Sequence, residues 1–284
     1  MTRTVYLNGD FLPADEAQVS IFDRGLLFAD AIYEVAGVIN GKLLDFASHM
    51  ARMDRSLREM RIPAPLSHEQ VLAAMREMVR RNDIEEGLVY MQITRGSEGD
   101  RDFVPSREMT PTVFMFAQAK SDATRQENVD GVTMVSAPDI RWARRDIKTV
   151  GLMGSVFAKW IAKEAGADEV LMHQDGYVTE GGATSFYIVK DGTIITRPLS
   201  DAILHGCTRK AVLALVEQND VALEERLFTL DEVYAADEAF ITGASTYVCP
   251  VIRVDDVTLG GGQAGPVTRR MQDIYLAFAK ADAI

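Results

Sequence analysis

A chain of 284 residues has room for one large domain or two ordinary ones, and for a sizeable core. Apolar residues make up 47% and charged residues 25%, which excludes a disordered chain, a collagen-like fibre and a coiled-coil rod. The 30 basic and 42 acidic residues leave a net charge of -12, which argues against a phosphate backbone or an anionic membrane surface as partner.

In chain order, Val5–Leu7 before Asn8-Gly9 reads as a strand and turn. Ala31–Ala36 and Leu43-Leu44 flank a second turn at Asn40-Gly41. Phe46, Met50, Met53, Leu57 and Met60 recur at steps of four and three and predict an amphipathic helix. Ser67-His68-Glu69-Gln70 is a capping box for a further helix with Leu72, Met75 and Val79 inward. Leu88–Thr94 and Val113–Ala117 read as strands. The polar stretch 120–131 then predicts a linker between a smaller α/β N-terminal domain, 1–119, and a C-terminal domain, 132–284.

Val132–Val135 opens the second half. A helix is expected from about Gly154, closing at Gly166 as a C′ glycine. Asp175-Gly176 and Asp191-Gly192 each sit between β-rich runs and predict hairpins. Ala239–Ile241 is a strand, and helices fall near Arg209–Gln218 and Pro266–Ala279. The fold class is α+β, with strands dominating the middle as a sheet or small barrel with outer helices. Gly260-Gly261-Gly262 reads as a floppy surface loop.

The common chemical fingerprints are missing. No Walker A loop, helix-opening GxGxxG, HExxH or GxSxG is present. The four histidines show no metal spacing. Two cysteines, Cys207 and Cys249, are too few for a disulfide framework or a thiolate site, so no metal is expected. No apolar run approaches the ~18 residues of a membrane helix, and the start lacks an h-region, so the expectation is a cytoplasmic protein without a membrane partner.

Of eight lysines, Lys159 and Lys163 read as a solvated helix face, and Lys42, Lys120 and Lys190 as surface lysines beside turns or the linker. Lys148 follows Arg144-Arg145-Asp146-Ile147 and precedes the apolar helix start Leu152-Met153-Gly154, a setting that suits Schiff-base chemistry as well as a plain surface lysine. Glu180, before Gly181-Gly182, reads as a cap, a solvated carboxylate, or the partner of a pyridinium nitrogen. Gly206-Cys207-Thr208-Arg209 opens a helix whose backbone N–H groups suit an anion. Thr242-Gly243-Ala244-Ser245-Thr246 is a second hydroxyl-rich turn. Either turn reads equally as an ordinary connection.

The order Arg52, Lys148, Glu180, Thr208, Ser245 closely resembles the fold type IV pyridoxal-phosphate enzymes, over nearly the whole chain. The stretches that carry the resemblance are His49-Met50-Ala51-Arg52, Asp146-Ile147-Lys148, Val178-Thr179-Glu180-Gly181 and Gly206-Cys207-Thr208-Arg209. The resemblance implies pyridoxal 5'-phosphate as cofactor, carried on Lys148, which also shuttles the proton. It implies that Glu180 pairs with the ring nitrogen and that Leu204 packs on the ring. Arg52, Thr208, the backbone of Cys207, Ala244 and Ser245 are then the phosphate site, and Tyr33 lies in the substrate pocket. A C-terminal pseudo-barrel with outer helices and a homodimer are also implied.

Within that group, branched-chain enzymes usually carry tyrosine five residues after the lysine, where this chain has Met153. The stretch from Lys148 to Gly154, and Ala31-Ile32-Tyr33-Glu34-Val35, resemble the D-amino-acid transaminases. Those place an arginine and a histidine two residues apart on the substrate carboxylate, after a Thr-Arg-Gly turn. Here Thr94-Arg95-Gly96 is followed by Arg101 without the histidine, and two aspartates flank it. The implied reaction moves an amino group from a D-amino acid such as D-alanine to a 2-oxo acid such as pyruvate or 2-oxoglutarate. (R)-amine or branched-chain L-amino-acid transamination, a lyase of the aminodeoxychorismate type, and a cofactor-binding protein without turnover are the alternatives.

Overall fold

The computed structural model describes residues 3–105, 109–121 and 127–284. Much of the expected linker, residues 122–126, lies outside them. The chain divides into two units. The first comprises Met1–Lys120, Ile147–Gly151 and Asp282–Ile284, and the second Ser121–Asp146 and Leu152–Ala281. The segment bearing Lys148 thus counts with the first unit, although it follows the expected linker.

The first unit is a six-stranded antiparallel sheet of β1 (Thr4–Leu7), β2 (Asp10–Pro13), β3 (Ala31–Ile39), β4 (Lys42–Leu43), β5 (Gly87–Thr94) and β6 (Thr112–Ala119). The strand order is β2-β1-β6-β5-β3-β4. Strand alternation sends Val89, Met91 and Ile93 of β5 to one face, all fully buried. That face packs against α2 (Phe46–Met60) and α3 (His68–Arg81) through Met50, Met53, Leu57, Val71, Met75 and Met78. Each such side chain contributes roughly 1.5–3 kcal/mol of burial. Leu72, expected inward, is only partly buried, because Val71, Ala74 and Met78 complete the inner face of α3. The short α1 (Arg24–Phe28) is capped by the Asp23 carboxylate on the Gly25 N–H. The opposite face of the sheet carries Tyr33, Tyr90 and Phe116, with Tyr90 stacked 5.5 Å from Tyr33 and 4.8 Å from Phe116.

Strand β4 covers only the far end of β3. The near end is taken by the Lys148 segment. The Tyr33 N–H donates to the Lys148 carbonyl at 3.0 Å, and Ile32 forms a bridge with Thr149.

The second unit holds a nine-stranded mixed sheet. Its strands are β7 (Val132–Pro138), β8 (Glu169–Gln174), β9 (Tyr177–Gly181), β10 (Ser185–Lys190), β11 (Thr193–Thr196), β12 (Leu223–Glu225), β13 (Glu238–Gly243), β14 (Tyr247–Val254) and β15 (Val257–Thr258). The order is β12-β11-β10-β13-β14-β7-β8-β9, with β15 on β14. The last strand, β9, packs alongside β10, so the sheet curls into a half-barrel. The expected hairpins β8–β9 and β10–β11 turn at Asp175-Gly176 (φ 53° and 83°) and Asp191-Gly192 (φ 48° and 77°). Glycine meets the positive φ of the second turn position without a Cβ clash.

The helices α4 (Met153–Glu164), α5 (Cys207–Gln218), α6 (Leu230–Tyr234) and, but for its last residue, α7 (Pro266–Asp282) belong to this half. Helix α4 lies on β7 and β8 through small residues, Ala158 and Ala162, and Gly166 (φ 69°) follows its C-cap Ala165. Lys159 is not merely solvated. Its ammonium pairs with Glu169 at 2.5 Å, because Glu169 is buried and its other oxygen accepts from the N–H groups of Val170 and Gly182. The glycine triplet 260–262 forms a surface turn with all three residues at positive φ (57°, 66° and 79°), closed by the Gly262 N–H on the Leu259 carbonyl at 2.8 Å. No helix among the described residues is long and apolar enough to cross a membrane.

Candidate functional site

The expected site residues fall into two groups, one in each unit. In the first unit, Lys148 and Tyr33 come together. The backbone bond from β3 holds them side by side, and the Lys148 Nζ lies 4.1 Å from the centre of the Tyr33 ring. A cation over an aromatic face gains about 0.5–2 kcal/mol. Nζ has no ion pair or hydrogen bond among the described residues, whereas Lys159 and Lys190 both pair with carboxylates. The backbone N–H of Lys148 donates to the Ser56 hydroxyl on α2.

Arg52 is buried on α2, not on its solvated side. Its Nε and one terminal nitrogen donate to the two Glu34 oxygens at 2.9 and 2.7 Å, and His49 Nδ1 lies 2.7 Å from the same carboxylate. Burial pushes the Glu34 carboxyl up. The charge and hydrogen bonds of Arg52, with those of His49, outweigh it and hold the carboxyl at about 2. The sequence carries a signal for this partner. Ile32, Glu34 and Ala36 share one face of a strand whose apolar members are buried, and a carboxylate there needs a cation.

Arg101 sits on an exposed loop. Its guanidinium stacks 4.9 Å from the Phe28 ring and 5.0 Å from the Phe103 ring. Its N–H groups have no acceptor among the described residues, and no hydrogen bond, ion pair or ring contact joins it to Tyr33 or Lys148. The flanking Asp102 does not pair with it. Arg24 instead fixes that loop by donating to the carbonyls of Asp102 and Phe103 while its Nε pairs with Asp30.

In the second unit, Glu180 is buried one residue before the end of β9. Its Oε1 accepts from Arg141 at 2.6 Å and from the Leu204 N–H at 3.0 Å. Oε2 accepts no hydrogen bond among the described residues and is not sealed from open space. Burial pushes the Glu180 carboxyl up, and the charge and hydrogen bond from Arg141 and the Leu204 N–H only partly offset that. Arg141 in turn holds Asp139 through Nε at 3.0 Å and a terminal nitrogen at 2.7 Å. The Thr179 hydroxyl donates to Asp139 at 2.8 Å. Asp139 and Arg141 escaped the sequence reading, since a short loop after β7 carries no periodicity that reports a partner.

The two hydroxyl-rich turns meet at one end of the curled sheet. Ser185 pairs with Thr242 in the β10–β13 ladder. A Cβ built on Gly206 would approach the Ser185 hydroxyl to 3.1 Å, so the start of α5 abuts the same point. Gly243 also lies near Thr184, where a Cβ would sit 3.4 Å from the threonine methyl. Helix α5 begins at Cys207 with no side-chain cap and no acidic residue in its first turn, so its leading N–H groups are not used by side chains. Thr208 is buried in that first turn, and Ala244 and Ser245 form the half-buried turn between β13 and β14.

A family model for amino-transferase class IV matches residues 31–254. A D-alanine aminotransferase of Staphylococcus haemolyticus is 36% identical over 273 residues, 96% of each chain. One of Bacillus licheniformis is 37% identical over 270 residues, 94% of each chain. Among solved structures, a branched-chain amino acid aminotransferase of T.th. with pyridoxamine 5'-phosphate superposes with a TM-score of 0.89 at 26% identity, covering 99% of this chain and 95% of its own. That of Escherichia coli shares the fold with a TM-score of 0.92 at 23% identity, over 100% and 97%. The curled sheet, the family match across most of the chain and the full-length relatives agree: the chain belongs to the class IV aminotransferases.

Proposed function

We propose that this enzyme uses pyridoxal 5'-phosphate to move an amino group from a D-amino acid, such as D-alanine, to a 2-oxo acid. The observation that carries the cofactor chemistry is the Lys148 amine, paired with no acid and held over Tyr33. The choice of D-amino acids rests on the relatives named D-alanine aminotransferase that run the length of the chain.

The residues fit such a group. An uncapped helix start, flanked by the hydroxyls of Thr208, Ser185 and Ser245, suits a phosphate, and the buried Thr184 hydroxyl nearby has no partner of its own. The Glu180 Oε2, open and without a hydrogen bond among the described residues, suits the N–H of a pyridinium. When bound, the cofactor supplies an aldehyde that condenses with amines and an electron sink for the carbanion. Lys148 Nζ is the amine that holds it and the base that moves the proton. Glu180 keeps the ring nitrogen protonated, and Leu204 packs on the ring. Thr208, the N–H of Cys207, Ala244, Ser245 and Arg52 hold the phosphate. Tyr33 borders the substrate. Arg101 offers a guanidinium edge without an acceptor to a substrate carboxylate. In this reading the enzyme is a cytoplasmic homodimer. An exposed apolar stripe on α4, made by Met153, Phe157, Trp160 and Ile161, supports the dimer.

Stopped-flow bleaching of the cofactor absorption by D-alanine, L-leucine and (R)-1-phenylethylamine tests the reading. D-alanine is expected to react fastest. Faster reaction with L-leucine overturns the D-amino-acid assignment. Arg101→Ala is expected to slow D-alanine and spare the amine, and normal D-alanine kinetics in that variant would remove Arg101 from the carboxylate site.

A further inference from the structure

The sharing of one guanidinium between two carboxylates in the second unit has a directional consequence. Arg141 presents its flat fork, Nε and one terminal nitrogen, to the two oxygens of Asp139 at 3.0 and 2.7 Å. Only its other terminal nitrogen reaches Glu180, and it bonds Oε1 alone at 2.6 Å. The Leu204 N–H adds to that same Oε1. Among the described residues, all the hydrogen bonding to the Glu180 carboxylate is therefore on one oxygen, and Oε2 is left open.

Guanidinium–carboxylate pairs favour the two-bonded fork, which is the stronger and more specific geometry. Asp139 takes that geometry for itself. It is fully buried, and Thr179 donates to one of its oxygens at 2.8 Å while Arg145 lies 3.4 Å from the other. Arg145 is itself held by Gln174 at 2.7 Å. Burial raises the Asp139 carboxyl, but the bonds and charge of Arg141, with the Thr179 hydroxyl and Arg145, bring it below the ordinary range. It therefore stays a charged acceptor for the fork. Arg197 is a further charged neighbour of Glu180, and its own contact is to the Val178 carbonyl.

We infer that Asp139 is a positioning residue: by occupying the fork of Arg141, it keeps Arg141 from closing on both Glu180 oxygens and so reserves Oε2 as the acceptor for the protonated ring nitrogen. This rests on the cofactor reading above. Without Asp139, the fork is free to turn onto Glu180, and Oε2 becomes an occupied acceptor.

The test is nitrogen NMR of the holoenzyme loaded with cofactor carrying 15N in its ring, whose chemical shift reports protonation directly. Wild type is expected to show a protonated nitrogen and Glu180→Gln an unprotonated one. Asp139→Asn is expected to move the shift at least halfway to that of Glu180→Gln, and to slow the first half-reaction at least tenfold. Because Asp139→Asn leaves buried arginines short of charge, Asp139→Asn/Arg145→Gln, which removes one charge of each sign, is measured beside it. A wild-type shift in both Asp139 variants, with Glu180→Gln unprotonated, overturns the inference. An unmoved shift in Glu180→Gln itself overturns the ring-nitrogen assignment instead, and the inference with it.

Discussion

Replacing Glu34 tests the electrostatics of the first unit most directly. Its carboxyl accepts from Arg52 at 2.9 and 2.7 Å and lies 2.7 Å from His49, with no part of it exposed. The carboxyl falls from an ordinary 4.5 to about 2 on folding, so between those values the unfolded chain binds the proton and the folded chain does not. Stability from this site is therefore fully present above about pH 4.5 and is lost as pH falls toward 2. At about 1.4 kcal/mol for each pH unit, the interval is worth about 3 kcal/mol. Glu34→Gln removes the charge and leaves Arg52 buried against a neutral amide, which costs about 3–5 kcal/mol at neutral pH. Urea unfolding followed by far-ultraviolet circular dichroism suits the measurement. Both tryptophans, Trp142 and Trp160, belong to the second unit, so circular dichroism, which samples the first unit as well, is preferred to their fluorescence. The wild type is expected to shed about 3 kcal/mol more than Glu34→Gln between pH 5 and pH 2. Parallel pH curves for the two proteins would refute the assignment of this stability to Glu34.

Two further outcomes follow from the proposed cofactor site. Borohydride reduction of the holoenzyme is expected to fix the cofactor to Lys148, read by peptide mapping, and label on another lysine would remove Lys148 from its role; Lys148→Ala should keep the cofactor bound but turn over very slowly. Arg52→Ala is expected to weaken cofactor binding by about tenfold to a hundredfold, from loss of a charge-assisted contact, measured by titration of the apoprotein. Unchanged affinity in that variant would assign Arg52 wholly to its pairing with Glu34.

Periodic features were the ones legible in the sequence. Met50, Met53 and Leu57 marked the inner face of α2, and Asp175-Gly176 and Asp191-Gly192 marked their hairpins, because each rests on a local rule of spacing or of positive φ. The helix start at Cys207 and the turn after β13 were legible as small, hydroxyl-bearing connections, yet nothing local says that they abut. That follows from the pairing of Ser185 with Thr242, fixed only when β10 and β13 become neighbours across an insertion of two strands and two helices. Lys148 stood out in the sequence as a candidate amine, but its geometry did not. Its place beside Tyr33 comes from β4 being too short to cover β3, which leaves a bare strand edge for a segment more than a hundred residues away to fill.

Arg52 entered the sequence reading only through the family resemblance, and Arg141 did not enter it at all. Arg52 is buried on α2 beside His49 and Ser56, polar positions that the apolar periodicity of the helix does not mark. Glu34, by contrast, shares a buried strand face with Ile32 and Ala36, a local signal that it needs a cation, which Arg52 supplies. Arg141 and Asp139 lie two apart in a loop, where polar residues are expected to meet water. Their burial is imposed from outside, by Glu180 and Thr179 on β9. A buried cation shared between two acids is specified by the strand that closes over it, and no pattern within the loop itself records that strand.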